Sequence, residues 1–369
     1  MALEQFANNA QTTLNGAITA GATSLTVQSA AGFPSSPLFR IVIDSELMLV
    51  TAVSGTTWTV TRGIEGTTAA SHSSGATVIQ MVTAGAVTNL GASQNPNLCQ
   101  GRLTLTSGTP VTTADVTGGT LYFTPYVGNR IALFDGTQWK LYAFSEVSLA
   151  LSVTAGVNYD AFLYDNGGTL TLELTAWTNN TTRATALMRQ DGVYVRSDNA
   201  TRRYLGTIRA AAANTGADTA AQRFVWNMVN RVARKLLHAE TTSNWSYTFT
   251  TIRQANGNSA NKVEVVRGMD EDVVHLAVSV DIYNTTNPVN VLAGVGVDST
   301  TVNSAGVFGG ACPAAGFGTA KAFYDDCPGL GYHALNWLEA SDAAGMTYWY
   351  GTNTGGLEKS SGMAGLCWA

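Results

Sequence analysis

Apolar and polar positions alternate with period two along most of this chain, which predicts strands rather than helices. Between residues 23 and 82 the runs "TSLTVQS", "FRIVIDSELMLVTAVSGTTWTVTRG" and "ATVIQMV" read as the strands of a small β-barrel or sandwich, with Ser54-Gly55-Thr56-Thr57 as a hairpin turn. Residues 83–96, "TAGAVTNLGASQNP", lose the alternation and gain Gly, Asn and Pro, the composition of a linker. A second β-rich region follows over residues 98–209. Its clearest hairpin joins "RIALF" to "QWKLYAF" through Asp135-Gly136, and "TLTLELTAW" and "GVYVRSD" continue the sheet.

The period then changes. In residues 218–237, "DTAAQRFVWNMVNRVARKLL", the residues Phe224, Val225, Met228, Val229, Val232 and Leu236 fall on one face of a helix, and Thr219 with Gln222 fits a capping box at its start. Beyond it, residues 239–369 return to alternating strands, among them "DVVHLAVSVDIYN" and "MTYWYG", with Asn256-Gly257 as another tight turn. The expected fold class is therefore mainly β: an N-terminal β-module (1–90), a middle β-domain (91–210), one long amphipathic helix (211–238) and a C-terminal jelly-roll-like β-sandwich (239–369). No period of 20 to 50 residues repeats, which excludes a solenoid or propeller.

Charge narrows the function classes. With 20 Lys+Arg against 25 Asp+Glu and only 12% charged residues, the chain lacks the electrostatic footprint of a nucleic-acid binder. Arg223, Arg231, Arg234 and Lys235 cluster on the expected helix, where they read as a solvated or inter-subunit face. The start of the sequence has no secretory-signal pattern and no apolar run reaches bilayer-spanning length, so the expectation is a protein made in a cytoplasm and not inserted in a membrane. Cys99, Cys312, Cys327 and Cys367 show no C-x-x-C spacing, which argues for reduced thiols and against structural zinc; whether Cys312 and Cys327 pair is open.

Candidate chemistry is sparse. The stretch "TRGIEGTTAASHSSGATV" holds Arg62, Glu65, His72 and Ser71, Ser73 and Ser74, but nothing in its spacing makes nucleophile, base and orienting group converge. Turn chemistry accounts for more of it: Gly63, Gly66 and Gly75 permit chain reversals, and the hydroxyls cap loose backbone groups. Asp270-Glu271-Asp272 and Asp325-Asp326 are adjacent acids whose spacing cannot show the carboxylate pair across a sugar that a glycoside hydrolase requires, and no calcium-loop pattern occurs. No catalytic residue, metal or cofactor is expected. The aromatic set Trp337, Tyr348, Trp349, Tyr350 and Trp368 offers flat amphipathic surface suited to stacking on sugar rings, although strand alternation turns only one set outward.

The stretch "LNGAITAGATSLTVQSAAGFP" and the Arg-Gly-x-x-Gly-Thr-x-Ala-x-x-His-x-x-Gly-Ala pattern at Arg62, Gly63, Gly66, Thr67, Ala69, His72, Gly75 and Ala76 resemble a small β-module of tailed-bacteriophage virion proteins, in which the motif is structural. "YFTPYVGNRIALFDGTQWKLY", "RRYLGTIRAAAANTGADTAAQRFVWNMVNRVARK" and the C-terminal "GYHALNWLEASDAAGMTYWYGTNTGGLEKSSGMAGLCWA" are similar to tail-fibre or head-fibre proteins. The resemblance implies a non-enzymatic virion component, most simply a homotrimeric tail fibre or spike for host attachment. A capsid-bound head fibre or decoration protein, and a tailspike enzyme that degrades surface polysaccharide, are the alternatives. It also implies docking of the N-terminal module to other virion proteins, and the aromatic residues Trp337, Tyr348, Trp349 and Tyr350 are the candidate contacts to a host glycan. On this reading Phe224, Met228, Val232 and Leu236 pack either on their own domain or around a threefold axis between subunits.

Overall fold

A computed structural model describes residues 4–352 and 361–369, with backbone alone at residues 89 and 92–94. The architecture is mainly β, as the alternation predicts, and the chain divides into two compact units. One comprises Met1–Cys99, Arg130–Ala143 and Arg189–Val193; the other comprises Gln100–Asn129, Phe144–Met188 and Tyr194–Ala369. Most of the segment expected as a middle domain therefore belongs to the same unit as the C-terminal sandwich. Residues 353–360 of the C-terminal fibre-like stretch lie outside the described residues.

The first unit is built on a six-stranded antiparallel sheet, in the spatial order Gln11–Thr13, Thr77–Gln80, Phe39–Ile43, Glu46–Ser54, Thr57–Thr61, Ser24–Thr26. Its two outer strands meet through a bridge between Leu14 and Val27, which closes the sheet into a barrel and removes its edges. Alternate residues point inward: Phe39, Ile41, Met48, Val50 and Trp58 are fully buried, and the Trp58 ring stands edge-on to Phe39 at 5.3 Å. The hairpin Arg130–Phe134/Trp139–Ala143 also belongs to this unit. Its loop is four residues, not two. Gly136 takes the positive φ, while the Asp135 carboxylate accepts bonds from the Thr137 and Gln138 amides at 2.8 Å.

Residues expected as a linker instead form the helix Ala84–Gln94, the one α-helix among the described residues. Thr83 supplies its N-cap, accepting the Ala86 amide at 3.1 Å, and the Glu65 carboxylate accepts the Gly85 amide at 2.9 Å. Glycine inside the helix obscured it in the sequence, and Gly85 is there for a packing reason: a Cβ would collide with the Arg40 guanidinium and the Glu65 carboxyl.

The expected helix over 211–238 does not exist. The segment forms the strands Thr215–Asp218, Gln222–Arg223, Val225–Asn227 and Ala233–Ala239. Thr219 and Gln222 exchange backbone hydrogen bonds across a tight turn rather than capping a helix. The helical match failed because burial here is not one-sided. Residues from Arg223 to Asn227 are all buried, and Arg223 and Arg234 both reach the Asp218 carboxylate, at 2.9 and 2.8 Å. A helix would have turned those guanidinium groups to solvent.

The C-terminal part of the second unit is a β-sandwich. One sheet runs from Ala233–Ala239 and Asn244–Ser246, through Gly362–Trp368 and Thr347–Tyr350, to Val274–Asn284, Gly316–Asp326 and the start of Val307–Cys312. The other contains Val289–Val297, Gly331–Ser341, Lys262–Arg267 and the end of Val307–Cys312. Val278, Val280 and Ile282 from one face meet Val295, Leu335 and Trp337 from the other in a single apolar core.

Candidate functional site

Strand alternation divides the aromatic set. Trp337 and Trp349 are fully buried between the sheets, where Trp337 packs against Trp245 at 6.0 Å, so neither contacts a receptor. Tyr348 and Tyr350, on the same strand as Trp349, point outward and are half-buried. Register brings them beside two rings not singled out in the sequence. Tyr283 pairs with both Tyr348 and Phe317 on its flanking strands, and Asp281 lies opposite Tyr350. The ring centroids are 6.4 Å apart for Tyr283 and Tyr348, 4.9 Å for Tyr283 and Phe317, and 5.7 Å for Phe317 and Tyr350. The missed signal was the alternation of "DIYN" and "GFGT", whose outward members these are.

The result is an outward aromatic platform with polar neighbours. Asn244 and Ser246 lie opposite Tyr350 and Tyr348 on the outer strand, and Thr319 donates its hydroxyl to Asp281 at 2.9 Å. Burial, reinforced by Tyr283 and Tyr348, pushes the Tyr350 hydroxyl up from its ordinary value, which keeps it neutral and able to donate. Flat rings bordered by hydroxyl, amide and carboxylate groups can stack on the apolar face of a sugar while hydrogen bonding its hydroxyls.

The trimer-contact candidates are not a stripe. Phe224 and Leu236 are core residues, 2% and 0% exposed, and Met228 and Val232 are half-buried in the turn between two strands. Of the basic cluster, Arg223 and Arg234 hold Asp218, and Arg231 holds Glu271 and Asp272, leaving Lys235 outward. Asp325 pairs with His275 at 2.8 Å and Asp326 accepts the Cys327 amide. Cys312 and Cys327 are free thiols and do not pair.

The residues of "TRGIEGTTAASHSSGATV" do not converge as a catalytic set. His72 is buried with Nδ1 2.7 Å from Asp44 and Nε2 2.8 Å from Glu46, whereas Glu65 faces Arg40, Thr83 and Gly85. The organising group is Glu46, which the motif itself does not contain. Its carboxylate takes Arg62 in a bidentate pair at 2.7 and 2.8 Å, and accepts the Gly63 and Ala70 amides at 3.0 Å each. Burial works to raise the Glu46 pKa, but Arg62, the Ala70 amide and His72 together hold it down at about 2. The arginine, glycine and histidine spacing of the motif thus folds one long loop around a single buried carboxylate.

A cleft of about 520 Å³ is lined by Gln222, His238, Lys262 and Glu264. Glu264 there is already engaged by Gln222 at 2.8 Å, by Lys262 at 3.0 Å and by the Tyr332 hydroxyl. Among the described residues no cluster of His, Cys, Asp or Glu is placed to hold a metal ion, and no helix is long and apolar enough to cross a membrane. No protein-family model matches the chain, and no curated protein matches it in sequence.

Proposed function

We propose that this chain is a non-enzymatic structural component of a bacteriophage particle, a homotrimeric tail fibre or spike that attaches to a host surface glycan through the platform of Tyr283, Phe317, Tyr348 and Tyr350. The observation that carries the attachment reading is this outward cluster of four rings with hydrogen-bonding groups at its border. Support for the virion reading comes from the Arg62 to Ala76 motif, whose positions serve as scaffold around Glu46. The N-terminal barrel then supplies the docking end, and the sandwich the outward end.

The test is binding of the full chain to immobilised bacterial lipopolysaccharides and capsular polysaccharides. The wild type is expected to bind at least one of them. The Tyr348→Ala/Tyr350→Ala double variant should weaken that binding by about tenfold or more, since losing two stacking rings costs ~1–3 kcal/mol. Equal binding by the variant would remove the platform from the reading. Release of defined oligosaccharides from the bound polymer would overturn the non-enzymatic assignment.

A further inference from the structure

Beyond the tyrosine platform, the outer face of the same sheet carries large apolar side chains along both of its borders. Beyond Tyr350 and Asp281 the outward positions are Leu237 and Trp368 on one side and Val307 and Phe323 on the other, exposed at 39%, 42%, 63% and 48%. Between them Leu366 and His275 stand at one end, and the other outward residues are small. Ala364 lies directly opposite Ala277, and Gly362 opposite Ser279. This trough forms two adjoining hollows of about 230 and 170 Å³, both lined by Ala277 and Ala364. Large side chains thus project along both borders of a surface that is hollow along its middle.

We infer that this half of the face is the contact between copies of this chain, arranged edge to edge around a common axis. Size is the first argument. Five strands about 4.8 Å apart, four of them contributing about six or seven residues at ~3.3 Å and the fifth three, give a face of roughly 24 by 20 Å in projection, about 480 Å², within a factor of two of the ~800 Å² of accessible surface that one partner contributes to a stable interface. An apolar patch of this extent marks an interaction surface.

The second argument is complementarity of the face to itself. Its two borders differ in charge: Lys235 stands beside Leu237 and Trp368, and Asp325, which His275 contacts with one carboxylate oxygen, stands beside Phe323. Three strand spacings, roughly 14 Å, separate them within one copy, and among the described residues the Lys235 ammonium has no ion pair. A ring of copies brings the Lys235 border of one against the Asp325 border of the next, seats the projecting rings in the neighbouring hollow, and closes without leaving an apolar surface open. Counting Lys235, Lys321, Asp281 and Asp325, the face carries two positive and two negative groups, so copies meet without net repulsion.

The inference supplies the contact behind the oligomer proposed above, and its test does not depend on glycan binding. Light scattering on the full chain at ~10 µM is expected to give about three times the single-chain mass of 38.7 kDa. Leu237→Asp and Phe323→Asp, both at exposed positions, should each weaken assembly at least 100-fold and yield monomer whose circular-dichroism spectrum matches the wild type. Phe249→Asp, an equally apolar but exposed site in a loop away from this face, should leave assembly intact. A monomeric wild type at this concentration would overturn self-association. Assembly that persists in both Asp variants would leave the oligomer standing and overturn this face as its contact.

Discussion

Five donors meet the Glu46 carboxylate: two from Arg62, one each from the Gly63 and Ala70 amides, and one ring nitrogen of His72. Because its folded pKa of about 2 lies below the ordinary 4.5, the ionised form stabilises the fold above pH 4.5, and that contribution is lost as pH falls through about 2. The shift corresponds to on the order of 3 kcal/mol. Glu46→Gln strands the buried Arg62 guanidinium, and denaturant titration at pH 7 should show a loss of about 3–5 kcal/mol. The same variant should lose less further stability than wild type between pH 5 and 2.5; an unchanged acid limb would mean that other carboxylates govern it. Nothing in the sequence around Glu46 marks it, since "DSEL" reads as a strand start, whereas the residues that converge on it are visible as a motif. The motif was legible and its centre was not, because a carboxylate's role here is set by neighbours 16 to 26 positions away.

At the scale of elements, the helix Ala84–Gln94 shows local propensity yielding to packing. Glycine inside a helix costs about 1 kcal/mol relative to alanine, so Gly85→Ala should stabilise an isolated helix. In this fold the added methyl displaces the Arg40 and Glu65 side chains and breaks their ion pair. The variant is therefore expected to melt below wild type, and a rise in melting temperature would show that the pair can rearrange around the methyl. The converse error occurred over residues 218–237, where spacing by three and four placed apolar residues on one helical face. Short strands joined by tight turns produce the same spacing when both faces are covered, and burial of Arg223 and Arg234 on Asp218 is invisible without tertiary context. Longer strands were legible wherever one face meets solvent, as in "DVVHLAVSVDIYN", because period two survives only there.

For the molecule as a whole, the β class and the sandwich followed from alternation, and so did the division of Tyr348 and Tyr350 from Trp349 onto opposite faces, though not which set is outward. The platform they join did not, since Tyr283 and Phe317 arrive from strands 30 or more residues away and only register sets them side by side. Remote pairing also governs stability. Gly362–Trp368 lies between Ala233–Ala239 and Val274–Asn284, and the Ala369 carbonyl accepts the Arg102 guanidinium at 2.9 Å. Removal of residues 361–369 therefore opens the middle of a sheet, and the truncated chain should lose its near-ultraviolet tryptophan signal; retention of a wild-type spectrum would contradict that placement. Val307–Cys312 has a mechanical meaning of its own. Its first residues pair with Phe323 to Lys321 in one sheet and its last with Val291 to Val289 in the other, turning between them at Gly309. One covalent thread stitches both layers together along that seam, so a load prying them apart there must unzip two ladders in succession before the layers can part.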